Sequence, residues 1–99
     1  MKVKFTPRGD LRAQKAAAWW RKNRPDASEL FTDELAQAVK DLETIPNLGT
    51  RHPTARRPQL MRLLLEKTKC HVYFEVDAKQ EEIRILMIWG APRGEEPKL

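Results

Sequence analysis

The sequence holds a single cysteine, Cys70, which excludes an internal disulfide and fits a reducing compartment. It has 4 glycines, and none of them builds a phosphate-cradling loop or a G-x-S-x-G nucleophile elbow. Soft metal ligands are equally scarce: His52, Cys70 and His71 are the whole set. Cys70 and His71 are neighbours in a strand-like run, so they face opposite sides and cannot chelate one ion together. No metal site and no cofactor are expected. No apolar run approaches the roughly 20 residues of a membrane helix. The opening Met1-Lys2-Val3-Lys4-Phe5 lacks the apolar core of a signal peptide. A cytoplasmic protein without membrane association is expected. Internal repeats and low-complexity segments are missing as well.

What the chain does have is charge and a moderate apolar content. Its 99 residues are 40% hydrophobic and 33% charged, the balance of one globular domain over 1–99. The formal net charge is +5 and the pI about 9.7. A positive surface of this size suits an anionic partner, either nucleic acid or an acidic protein segment. It equally suits a surface that is merely well solvated.

Val3 and Phe5 alternate with Lys2 and Lys4, the pattern of a short half-buried strand. Thr6-Pro7 then reads as a helix start, with Thr6 at the N-cap and Pro7 at the first helical position. Ala13, Ala16, Ala17 and Trp20 recur at helical spacing, Gly9 weakens the first turn, and Arg24-Pro25 ends the helix. A second helix is expected almost at once, capped by Asp26 with Glu29 as the reciprocal partner. Its stripe is Phe31, Leu35, Ala38, Leu42 and Ile45, with Val39 beside it. Residues 47–59 carry Gly49, Pro53 and Pro58 among Arg51, His52, Arg56 and Arg57, a basic loop. Three strand-like runs follow, Leu60 to Glu66, Cys70 to Val76 and Glu82 to Trp89, joined by turns short enough to force antiparallel pairing. Gly90-Ala91-Pro92 breaks the last strand. The fold class is therefore α+β: an N-terminal strand, then an antiparallel two-helix hairpin packed on a small twisted antiparallel sheet.

A metal-free enzyme acting on RNA would need a base, an acid and cations for the phosphorane charge. Arg56, Arg57, Arg62, His71, Tyr73 and Arg93 are the residues that can supply them. Each also has a plain structural reading. Arg56 and Arg57 can be a solvated loop pair, Arg62 can snorkel at a strand start, and His71 can be a satisfied surface histidine. Tyr73 can be a packed cross-strand aromatic, and Cys70 a small core residue. Trp19 and Trp20 are adjacent on a helix and cannot both face inward, so one is available to a partner.

The order of elements carries a resemblance. Val3-Lys4-Phe5-Thr6-Pro7, Ala17-Ala18-Trp19-Trp20, Asn23-Arg24-Pro25, Glu34-Leu35 and Arg62-Leu63-Leu64-Leu65 stand in the order seen there. So do His71-Val72-Tyr73-Phe74 and Ile88-Trp89-Gly90-Ala91-Pro92-Arg93-Gly94. In this arrangement the chain resembles the RelE/ParE superfamily of bacterial toxins, and within it the ParE-like plasmid-stabilisation proteins. The resemblance implies the toxin of a type II toxin–antitoxin pair, which arrests growth and forms an oligomer with a cognate antitoxin whose disordered tail wraps it. RelE-like members cut messenger RNA on the ribosome, and ParE-like members inhibit DNA gyrase. No tyrosine or histidine stands near the C-terminus, where many nuclease members carry a catalytic one, and this favours the ParE-like branch. If the protein is instead an mRNA endoribonuclease, Arg62 and Arg93 are expected to stabilise phosphate charge and His71 or Tyr73 to move protons. Arg56, Arg57, Trp19, Trp89 and Arg93 are the residues expected to bind partner or target. A non-toxic nucleic-acid-binding module is the remaining alternative; it would interleave aromatics with its basic residues, and only Tyr73 and Trp89 qualify.

Overall fold

Thr6 starts the first helix as its sequence predicts. In a computed structural model that describes residues 1–90 and 96–99, the Thr6 hydroxyl accepts from the Gly9 amide at 3.1 Å, and Pro7 opens α1, Pro7–Asn23. Before it lies β1, Lys2–Phe5. Arg24 ends α1, its amide donating to the Trp20 carbonyl, and Pro25–Ala27 forms a short 3-10 turn. The second helix, α2, is Leu30–Thr44. Here the structure corrects the expected start. Asp26 lies in the 3-10 turn and caps nothing, because Pro25 tightens the chain there before α2 begins. Glu29 occupies the N-cap without a side-chain cap and instead meets Arg21 at 3.2 Å.

The strands are β2 (Thr50–Arg51), β3 (Met61–Leu65), β4 (Cys70–Asp77) and β5 (Glu82–Gly90), and the sheet order is β1-β5-β4-β3-β2. From β2 to β5 the pairing is antiparallel, as the short turns demand. The N-terminal strand pairs with β5 in parallel, Val3 against Ile83 and Phe5 against Ile85, so the sheet is mixed. Between those two strands lies nearly the whole chain, which removes the hairpin constraint on their direction.

One face of the sheet packs under the helices. Phe31, Leu35, Ala38 and Leu42 of α2 bury against Leu65, Cys70, Val72, Phe74, Ile83, Ile85 and Ile88. Ala13, Ala16, Ala17 and Trp20 of α1 close the same core. Ile45 departs from the expected stripe: it is the C-cap of α2, where the helical period ends, and is 47% exposed. On β5 the face preference changes midway. Phe74 pairs with Ile85 but Tyr73 pairs with Met87, leaving Leu86 as the extra residue of a bulge. Ile85 and Ile88 thereby share the helix face, and Met87 turns to the other. Beside the bulge, α1 comes close to β5. A Cβ on Gly9 would stand 2.3 Å from the Ile85 carbonyl oxygen, which accepts from the Thr6 amide and hydroxyl. Gly9 is thus what lets the first turn of α1 lie on β5. Among the described residues, no helix is long and apolar enough to cross a membrane.

Candidate functional site on the open face of the sheet

Strand alternation sends His71 and Tyr73 of β4 away from the helices. Register then gathers their neighbours: Arg62 of β3 stands opposite Tyr73, and Trp89 of β5 opposite His71. Tyr73 is 1% exposed and joins Leu60, Leu86 and Met87 in a second small apolar cluster, against which Trp89 and Leu99 pack. Two imidazoles meet its ring edge-on, His52 at 5.7 Å and His71 at 6.1 Å between centroids. His52 reaches this position because its amide donates to the Leu60 carbonyl at 2.9 Å, prolonging the β2–β3 ladder past Arg51.

A carboxylate from the C-terminal segment completes the group. One oxygen of Glu96 lies 2.9 Å from His52 Nε2, and the other 3.5 Å from an Arg62 guanidinium nitrogen. Burial holds the His71 pKa below its ordinary 6.5, and the Arg62 and His52 charges press it the same way against an opposing pull from Glu96. A lowered pKa leaves His71 a neutral imidazole at pH 7, able to accept a proton. At the margin, Arg57 pairs with Glu75 of β4 at 3.0 Å, and Thr54 and Arg57 pin the loop by exchanging backbone hydrogen bonds.

Arg62, His71 and Tyr73 thus converge. Arg57 lies beside them, bound to Glu75, while Arg56 is exposed on the loop. Arg93 lies outside the described residues. His52 stands in the sequence only as a scarce soft ligand within the basic loop, and Glu96 is not singled out at all. They stand 10 and 34 residues from Arg62, and no local pattern marks either one.

Trp19 and Trp89 both line an open groove elsewhere, between α1 and the ends of β4 and β5. Trp19 is 50% exposed with the Arg24 guanidinium 5.9 Å from its ring centre, while its neighbour Trp20 packs on the core. Arg12 lies 5.7 Å from the Trp89 ring centre. Exposed indole and guanidinium groups in one groove suit an acidic, partly apolar protein segment. Cys70, at the floor of this groove, is buried, and its thiol pKa is raised by that burial, which keeps it unreactive. Among the described residues, no group of three His, Cys, Asp or Glu side chains is placed to hold a metal ion.

No protein-family model and no curated protein matches the chain. Solved structures do. A chain of the chromosomal ParDE TA system from P. aeruginosa superposes with a TM-score of 0.70 at 23% identity, covering 91% of this chain and 95% of that one. The YoeB/ParE toxin from Agrobacterium tumefaciens gives 0.58 at 10% identity, covering 91% and 98%. The isolated E. coli RelE toxin gives 0.55 at 17% identity, covering 95% and 87%. The shared elements run through nearly the whole of each chain: this protein has the fold of the RelE/ParE toxins.

Proposed function

We propose that this protein is the toxin of a type II toxin–antitoxin module, held inactive by a cognate antitoxin, and that it acts in the ParE manner by inhibiting DNA gyrase in the cytoplasm. The burial of Tyr73 carries the choice of mechanism. At 1% exposure, with His52 and His71 against its ring, this phenol offers no accessible proton to a nucleotide. A toxin that binds a protein target needs no proton transfer. Its activity rests on surface contacts dominated by a few large side chains, and Trp19 and the arginines of the α1 groove supply such contacts. The superposition on a chain of a ParDE system supports the same branch.

The RelE-like reading, cleavage of messenger RNA on the ribosome, keeps one observation in its favour. Arg62, His71 and His52 converge on the open face, and such a group resembles the cationic and proton-transferring set that RNA cleavage requires.

Expression alone is expected to arrest bacterial growth, with rescue by the antitoxin. Two assays on the purified protein separate the mechanisms: supercoiling by DNA gyrase, and messenger RNA integrity in a translating extract. Inhibited supercoiling with intact RNA is the expected result. RNA cuts that vanish in His71→Ala, with supercoiling unaffected, would replace the gyrase reading by the nuclease one. Normal growth despite soluble, folded protein would remove the toxin reading altogether.

A further inference from the structure

Charge is unevenly placed on this protein. The formal net charge is +5, and α1 alone carries five cations, Arg8, Arg12, Lys15, Arg21 and Lys22, against one acidic residue, Asp10. The sheet neutralises its cations: Lys4 meets Glu82, Arg57 meets Glu75, and Arg84 meets both Asp77 and Glu82. Among the described residues, Arg21 alone of the α1 cations has a carboxylate partner, Glu29. Asp10 instead accepts from Gln14.

Three of the remaining four, Arg8, Lys15 and Lys22, recur every seven residues. Seven residues make almost two helical turns, so the three stand in one row. Gly9, Ala13, Ala16, Ala17 and Trp20 face the core, and the row runs along the opposite, exposed crest of the helix. The helix itself gains nothing from it. Arg8 lies in the first turn, where the helix dipole repels a cation. Arg8 and Arg12 are four residues apart, and Arg12 and Lys15 three, spacings at which like charges destabilise a helix. Cations held against local preference and without internal partners point to an anion outside the chain.

We infer that the crest of α1 is a contact surface for the phosphate backbone of duplex DNA, with Arg8, Lys15 and Lys22 on the phosphates and Arg12 at the flank. The row spans about 21 Å in steps of about 10 Å, a length over which each strand of a duplex presents a phosphate about every 3.4 Å. An anionic membrane would need an apolar helix face to insert, and that face of α1 is already in the core. An acidic protein segment needs apolar contact beside its charges. Between the cations of the crest stand only Leu11 and Ala18, while Trp19 lines the groove at the flank. The major groove of B-form DNA is wide enough for a helix, and that of duplex RNA is too narrow. This surface is separate from the open face of the sheet and does not rest on the gyrase reading: DNA binding is measured without gyrase, so the two fail separately.

The test is fluorescence anisotropy of a labelled DNA duplex of mixed sequence, titrated with the full chain over a range of potassium chloride concentrations. Three backbone contacts give a slope of about −3 for the logarithm of the binding constant against that of salt. Arg8→Gln, Lys15→Gln and Lys22→Gln together change exposed positions only, and a thermal melt confirms that the fold is kept. This triple variant is expected to bind at least about tenfold more weakly at about 0.1 M salt and to lose most of the slope. Lys40→Gln, Lys79→Gln and Lys98→Gln together remove the same charge from exposed positions on other segments. At that salt their distance from the crest should hold the loss below about threefold. Equal losses in the two triple variants overturn the proposal. So does a parent protein that leaves the DNA unbound at low salt, or that prefers the corresponding duplex RNA, phosphatidylglycerol vesicles or polyglutamate to it.

Discussion

Glu34 accepts three hydrogen bonds from the β3–β4 turn, and two of them come from Thr68: its amide at 3.0 Å and its hydroxyl at 2.7 Å. The third comes from the Lys67 amide at 2.7 Å. A single carboxylate on α2 thus ties the helical layer to a turn 34 residues away, at a point where Lys69 adopts a left-handed φ of 60°. Thr68 is only 9% exposed, so its donors have little water to turn to. Glu34→Ala is expected to cost about 2–3 kcal/mol, since unpaired buried donors keep their full desolvation penalty. Glu34→Gln, which retains one acceptor oxygen, should cost roughly half as much, within the usual worth of a hydrogen bond to a charged group. Urea unfolding of both variants measures the difference.

Gly9 is expected to be the least replaceable residue of α1. A Cβ there would meet the backbone of Ile85 at 2.3 Å and of Leu86 at 3.3 Å, and backbone in a central strand cannot step aside. Gly9→Ala should destabilise by about 3 kcal/mol, the upper part of the overpacking range, although alanine has the higher helix propensity. A melting temperature equal to or above the parent's would show that α1 can lift from β5 without loss.

Leu42 and Ile45 separate burial from periodicity. Leu42 is fully buried and Ile45 is 47% exposed, three residues apart on one sequence stripe. Leu42→Ala is expected to cost about 2–5 kcal/mol, and Ile45→Ala to stay within about 0.5 kcal/mol as a surface change. Comparable losses in chemical denaturation would mean that Ile45 is covered in solution.

His71 predicts an acid-side loss of stability. Its folded pKa is below the unfolded 6.5, chiefly through burial and then through Arg62 and His52. The unfolded chain therefore binds more protons as pH falls through that window. The contribution of His71 is fully present above pH 6.5 and declines from there down to its folded pKa. His71→Gln should flatten the stability profile in that range. Because Glu96 pulls the pKa up, Glu96→Gln should lower it further, which an NMR titration of the imidazole detects directly.

The placement of apolar residues in the sequence carried much of the architecture. The stripe from Phe31 to Leu42, the N-cap at Thr6, the stop at Arg24-Pro25 and the alternation along β4 were all legible, because period and capping are local properties of the chain. The division between Trp19 and Trp20 followed in the same way. Of the site, Arg62, His71 and Tyr73 were legible as candidate residues, and the register of β3 and β4 brings them together. The Asp26 cap failed where a local motif competed with a proline turn, and Ile45 failed where the helix had already ended.

Other features were decided by tertiary structure alone. The parallel pairing of β1 with β5, the bulge at Leu86 and the fit of Gly9 under Ile85 depend on contacts between segments nearly a chain length apart. So do His52 and Glu96, whose meeting with Arg62 on the open face no spacing announces. Local sequence determined which elements form and which of their faces are apolar, since those follow from backbone geometry and water. Which polar side chains converge was left to packing, because only the closed core brings β3, β4 and the C-terminal segment within hydrogen-bonding distance.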